Sequence, residues 1–219
     1  NYSFIELMKV FSKGGYLDAP AASTLSNIDN NKNYYKSLLK SDFAIFDSGF
    51  FCILIRFFKK EKVRKFSGYL FLKKFLNYKK IKNKKIMLID PSKKDQKLNL
   101  IYLRKKKIKN VFSYIAPNYK KIKDLKLINL INKKKPKFII VNIGGGIQEI
   151  LALYIKLNVK YKVSIMCTGA AIAFMTKRQA PINDFIDKNY LGWIVRIIFN
   201  PKKHFFRMLK SFKLIKFFL

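Results

Sequence analysis

The sequence predicts an α/β fold: a mostly parallel sheet with helices on both faces, followed by a basic helical C-terminal appendage. Three observations predict it. Short apolar runs alternate with stretches of helical period, as βαβ units require. One such unit, "FIIVNIGGGIQEILALYIKL" from Phe138 to Leu157, reads as buried strand, glycine turn and helix. Three strand ends, Asp47-Ser48-Gly49, Asn142 through Gly146 and Thr168-Gly169, carry polar or glycine residues where an open parallel sheet binds its ligands.

The elements follow in order. Ser3 to Lys13 is an amphipathic helix capped by Ser3 and stopped by Gly14 and Gly15. Tyr16 to Ala19 is a short strand. Ser23 to Lys40 is loop and helix, with Tyr34, Tyr35, Leu38 and Leu39 on its apolar side. Phe43 to Phe46 is a second buried strand, and a helix from Phe50 to Phe58 follows. Ser67 to Leu76 is helical, Lys85 to Ile89 a strand, and Pro91-Ser92 starts the next helix. Asn110 to Tyr114 is a strand, Tyr119 to Asn132 a lysine-rich helix, Phe138 to Asn142 and Val163 to Cys167 the last two strands.

From Pro181 the character changes. Leu191 to Arg196 lies in an apolar helix containing Trp193, which is read as packing, and Asn200-Pro201 marks a break. The tail then sets Phe205, Met208, Leu209, Phe212, Ile215 and Leu219 near one helical face, with Lys203, Arg207 and Lys210 opposite. A basic, Phe-rich amphipathic helix is suited to a membrane interface; a terminal helix packed on the core or on another subunit would show the same pattern. The division is thus a core over residues 1–180 and an appendage over 181–219.

Half the residues are hydrophobic, enough for a sizeable core, and the formal net charge is +35. Nucleic acid or an anionic membrane would explain that charge. The lysines are spread over nearly every helix rather than gathered between exposed aromatics, which argues against nucleic acid and leaves much of the charge on solvated faces. Cys52 and Cys167 stand apart in apolar surroundings, as reduced core cysteines of a cytosolic protein do. A single histidine, His204, leaves no material for a histidine-centred triad or zinc site. No uncharged apolar stretch is long enough to span a bilayer, since Asp47 and Arg56 interrupt the best candidate. The chain begins at Asn1 rather than methionine, as a chain lacking an N-terminal piece would.

Glycines 144, 145 and 146 let the backbone take positive φ and admit a ligand, and the helix start that follows favours an anion such as a diphosphate. Alternatively they only make a tight turn, and Glu149 only complements the helix dipole. The spacing is neither a Walker loop nor a dinucleotide fingerprint.

Four segments, in order, resemble the WecG/TagA/CpsF family, glycosyltransferase family 26, over roughly Ala19 to Arg207. They are "SDFAIFDSG" from Ser41, "NIGGGIQE" from Asn142, "KRQAP" from Lys177 and "LGWIVRIIFNPKKHFFR" from Leu191. The resemblance implies a Rossmann-like core and transfer of an N-acetylmannosamine-type or related sugar. The donor would be a UDP-sugar and the acceptor a polyprenyl-diphosphate-linked sugar, on the inner face of the cytoplasmic membrane, for surface polysaccharide. It implies inversion, no cofactor and no bound metal, and leaves homo-oligomerisation open. Asp47 matches the proposed catalytic base, which would take the acceptor hydroxyl's proton; a cap on the following helix is its other reading. Gly144, Gly145, Gly146, Gln148, Glu149, Thr168 and Gly169 fall on the nucleotide-sugar side. Arg178, Arg196 and Arg207 match basic positions near the diphosphates, where arginine's bidentate geometry fits.

The sequence also departs from the family pattern. Ala19-Pro20-Ala21 stands where "TxN" is expected, and Gly146 and Ile147 replace a proline and a lysine. Ala171-Ile172-Ala173 replaces an acidic residue, Gly192 a glutamate, and Gln179 is inserted in "RAP". The departures gather at the expected site, as in a divergent branch with a different donor or acceptor. A non-catalytic relative, a partner or scaffold in a polysaccharide assembly complex, is the alternative.

Overall fold

The computed structural model describes residues 3–219, with Lys203 described by its backbone alone. Its centre is a six-stranded, all-parallel sheet in the order β2-β1-β6-β5-β3-β4. The strands are β1 (Gly15–Asp18), β2 (Phe43–Ala44), β3 (Ile86–Asp90), β4 (Val111–Ile115), β5 (Phe138–Val141) and β6 (Ser164–Cys167). Of these, β3, β5 and β6 are buried throughout. Their side chains alternate between two cores. Ile86, Leu88, Phe138, Ile140 and Met166 enter one, and Met87, Ile89, Ile139, Val141 and Ile165 the other.

Helices α1 (Phe4–Phe11), α5 (Gly68–Asn77), α6 (Lys93–Lys105) and α9 (Ala171–Met175) supply the first core. Edge-to-face pairs tie it together, Phe11 against Phe71 and Phe75 against Phe138. Helices α7 (Leu125–Lys134) and α8 (Ile147–Asn158) supply the second. Helix α3 (Lys32–Leu39) lies against α8. A third, smaller cluster joins α2 (Ala22–Leu25) and α4 (Gly49–Lys59) to the C-terminal segment through Ala22, Leu54 and Leu214.

Local chemistry explains the boundaries. Ser3 and Glu6 form a reciprocal capping box at α1, and Ser48, Ser67 and Ser92 cap α4, α5 and α6. Gly14 and Gly15, at φ 123° and 103°, turn the chain into β1.

Three expectations need correction. The stretch 43–46 is not a buried strand: only Phe43–Ala44 pairs, at the sheet edge with Ala44 exposed, because Asp47 N–H turns back onto the Ile45 carbonyl. The helix expected from Tyr119 begins at Leu125. Asp124 caps it and also accepts from the Tyr114 and Tyr119 hydroxyls, which ties the preceding residues into an irregular loop. On α3, Tyr34 and Ser37 face inward while Tyr35 and Leu39 are exposed. Trp193, read as packing, keeps half of its surface exposed.

The appendage forms α10 (Asp184–Lys188), α11 (Gly192–Phe199) and α12 (Pro201–Phe212), then a 3₁₀ turn over Lys213–Phe217. The turn rotates the tail, so the expected single apolar face divides. Leu214 is buried on α2 and α4, and Phe218 packs on Phe51 and Phe58. Phe205, Leu209, Phe212 and Leu219 stay exposed. Among the described residues no helix is long and apolar enough to cross a membrane.

Candidate active site

Because every strand is parallel, all carboxyl ends share one edge, and the singled-out residues collect there. Asp47 follows β2. Its Oδ1 accepts from Gly68 N–H at 2.8 Å, at the start of α5, so its role in capping is at α5 and not at α4, where Ser48 serves. Gly68 sits closely between strand ends: a Cβ there would lie 3.3 Å from both the Ala19 Cβ and the Thr168 carbonyl. Asp47 keeps some surface but is densely surrounded. That burial raises its carboxyl pKa, against the opposing pull of Arg196, the Gly68 amide and Lys65.

The appendage closes over this end. Asp187 of α10 pairs with Lys65 at 2.7 Å and accepts from Ser67 Oγ at 2.7 Å, beside the α5 terminus. Tyr190, at φ 63°, lies on Gly49, where an added Cβ would come within 2.4 Å of its ring. Arg196 of α11 stacks on Phe174 at 4.7 Å, with its charge acting on Asp47 and Asp187. Its Nε is buried without a protein partner. Burial works against the Arg196 charge, and so does neighbouring Arg207, which is exposed on α12. Arg178 goes elsewhere: its Nε meets Asp95 at 3.3 Å at the start of α6.

The glycine loop lies on the same edge. Gly144 and Gly145 are exposed, and Gly146 takes φ 90°. Gln148 and Glu149 point inward and are buried. Glu149 accepts from Gly146 N–H and from Gln148 Nε2, and Gln148 Oε1 accepts from Gly169 N–H at 3.0 Å. The pair thus links the loop after β5 to the loop after β6, where Gly169 sits at φ 58°. Thr168 is buried there with its hydroxyl unpartnered. Asp47, Gly68, Thr168, Gly169 and Gln148 therefore form a continuous chain of contacts along the sheet edge.

Beneath this edge is a feature that strand reading alone does not reveal. Asp18, the last residue of β1, is fully buried, and neither of its oxygens has a donor. It lies beside Glu149. Burial first, and the Glu149 charge second, hold its carboxyl well above the usual range. A protonated Asp18 adds a donor to the two that Glu149 already has and removes a buried negative charge. The hydroxyls of Tyr16 and Tyr34, also without partners, complete this polar pocket.

Sequence reasoning missed Asp18, Lys65, Ser67, Gly68, Asp187 and Tyr190. One signal was present: "YLD", "AIFD" and "MLID" each end an apolar run on aspartate at or just beyond a strand end.

The model of the Glycosyl transferase WecG/TagA/CpsF family matches residues 3–219. The chain belongs to that family. A search of curated proteins returned no match. Family membership agrees with the parallel α/β sheet and supports a glycosyltransferase role for the chain.

Proposed function

We propose that this family member transfers a sugar, of N-acetylmannosamine type or a related one, from a UDP-sugar to a polyprenyl-diphosphate-linked acceptor, in surface polysaccharide synthesis. The observation that carries the reading is the place of Asp47 at the carboxyl edge of the sheet, where it accepts from the Gly68 amide at 2.8 Å and feels the Arg196 charge. Asp47 is the base. Its raised pKa strengthens it for taking the acceptor hydroxyl's proton as that oxygen attacks the anomeric carbon. The bond from that carbon to the donor diphosphate breaks on the opposite side, which inverts the centre. Arg196 and Arg207 receive the charge that develops on the departing UDP, with no metal required. Gly144, Gly145 and Gly146 accommodate the nucleotide side, with Gln148, Glu149, Thr168 and Gly169 setting the loop's shape. Arg178, turned away to Asp95 at the start of α6, is given no contact with donor or acceptor in this reading.

Residues 181–219 act in this reading as an appendage that brings arginines to the core. Its exposed Phe205, Phe206, Leu209 and Phe212, with lysines nearby, support peripheral attachment to the cytoplasmic membrane.

A second reading, a non-catalytic partner or scaffold, is favoured by one observation: the Gln148 and Glu149 side chains make their hydrogen bonds inside the protein. Calorimetry with UDP separates the two. The transferase reading expects binding in the presence of a chelator, weakened about tenfold or more in Arg196→Ala, in keeping with the loss of a charge-assisted bond. A folded wild-type protein that binds no UDP would overturn it in favour of the second.

A further inference from the structure

Transfer between two diphosphate-bearing substrates needs two anion sites, and Arg196 and Arg207 provide for one. The other diphosphate belongs to the acceptor, between its sugar and its lipid. The residues after α4 offer a place for it. The α4–α5 connection, with the last turns of α4, shapes an open cleft of about 600 Å³ lined by Arg56, Lys60, Glu61, Lys62, Val63 and Arg64. Four cations therefore face one carboxylate. The cleft is braced internally: Arg56 donates to the Val63 carbonyl at 3.0 Å and lies over the Tyr190 ring at 5.9 Å. Lys65, next in the chain, lies 5.3 Å from the same Tyr190 ring, and its charge also reaches Asp47.

Position is the stronger argument. Two turns of α4 separate Gly49, beside Asp47, from Arg56, about 10 Å of rise. A span of that order suits an acceptor whose hydroxyl meets Asp47 while its diphosphate lies on the far side of the sugar. On the same helix Ile53 and Phe57 are exposed, an apolar surface beside the cations where an isoprenoid chain can leave.

We propose that this cleft holds the diphosphate of the lipid-linked acceptor, with Lys60, Lys62 and Arg64 as its ligands and Arg56 as their support. Guanidinium and ammonium groups on a connecting loop are suited to a doubly charged phosphate ester, and the remaining length of α4 sets its distance from the base. The inference rests on the transfer reaction proposed above.

The test is flotation with three vesicle types: phosphatidylcholine alone, phosphatidylcholine with phosphatidylglycerol, and phosphatidylcholine with a long-chain polyprenyl diphosphate matched to the second in surface charge. Wild type is expected to prefer the diphosphate vesicles. Lys62→Gln/Arg64→Gln is expected to lose that preference, about tenfold in affinity, while binding phosphatidylglycerol vesicles nearly as before. Lys133→Gln/Lys134→Gln, which removes the same charge at the other end of the sheet, is expected to keep it. Equal binding of both anionic vesicles by wild type, or an equal loss in both variants, would overturn the proposal in favour of general surface attraction. Single Arg64→Gln gives the same readout if the double variant melts early. UDP calorimetry on the same variants is expected to be unchanged, so failure of the cleft and failure of the transferase reading give different results.

Discussion

Asp18 and Asp90 end two strands of one sheet, both fully buried, in opposite surroundings. Asp90 accepts from Asn99 Nδ2 at 2.7 Å, from Asn142 Nδ2 at 2.8 Å and from the Ser113 hydroxyl, which ties β3 to β4, α6 and the residue after β5. Asp18 has no donor and a carboxylate for a neighbour. Burial raises both carboxyls; at Asp90 three side-chain hydrogen bonds oppose the rise, whereas at Asp18 the Glu149 charge adds to it. The difference separates framework from site. Around β3 and β4 the Asp90 oxygens are satisfied by neighbouring side chains, and Asn142 Oδ1 alone in that network is buried without a partner. Around β1, β2 and β6 it carries unpartnered polar atoms on Asp18, Thr168 and Arg196, which cost stability unless a proton, water or ligand meets them.

The largest effect is expected on the satisfied side. Asp90→Ala leaves two buried donors, on Asn99 and Asn142, and the half-buried Ser113 hydroxyl without an acceptor and should lower stability by about 3–5 kcal/mol in urea unfolding. A loss below about 1 kcal/mol would show that the network is not a framework.

Next in size is Gly49→Ala, where the new methyl must displace the Tyr190 ring. A loss of about 1–3 kcal/mol is expected, together with weaker UDP binding, because the appendage holding Arg196 is docked through that contact. Full affinity in this variant would uncouple appendage docking from the site.

The smallest effect, and the sharpest for the comparison, concerns pH. A carboxyl whose pKa is raised in the folded state binds more protons there than in the unfolded chain. Its stabilising contribution is therefore complete below the ordinary aspartate range and is lost as pH rises toward the folded pKa. Asp18→Asn keeps a donor for Glu149 and carries no charge at any pH. The variant should sit within about 1 kcal/mol of wild type at pH 5 and gain on it as pH rises, so its stability curve is flatter. A wild-type curve of equal slope would mean that Asp18 is ionised in the fold.

Much of the fold was legible because β3, β5 and β6 are continuous apolar runs and serine caps start α4, α5 and α6. The misread elements failed for tertiary reasons. Phe43 to Phe46 has strand composition, but its place at the sheet edge and the turn to Asp47 decide its conformation. The Tyr119 segment has helical spacing, but two tyrosine hydroxyls on Asp124 tie it into an irregular loop. At the site, Asp47, Gly144 and Arg196 were visible as motif positions. Asp18 and Asp187 were not, since one looks like any strand residue and the other acts across 120 residues of chain on Ser67.

The central claim is that Asp47 is the base of a sugar transfer. Asp47→Asn retains an acceptor for the Gly68 amide and removes the base. Transfer from a panel of UDP-sugars to a polyprenyl-diphosphate-linked acceptor, followed in wild type and variant with UDP affinity measured alongside, tests it most directly. The account predicts transfer by wild type, a loss of about 10²–10⁴-fold in the variant, and UDP binding unchanged within about threefold. Transfer undiminished in Asp47→Asn, at equal UDP affinity, would contradict it.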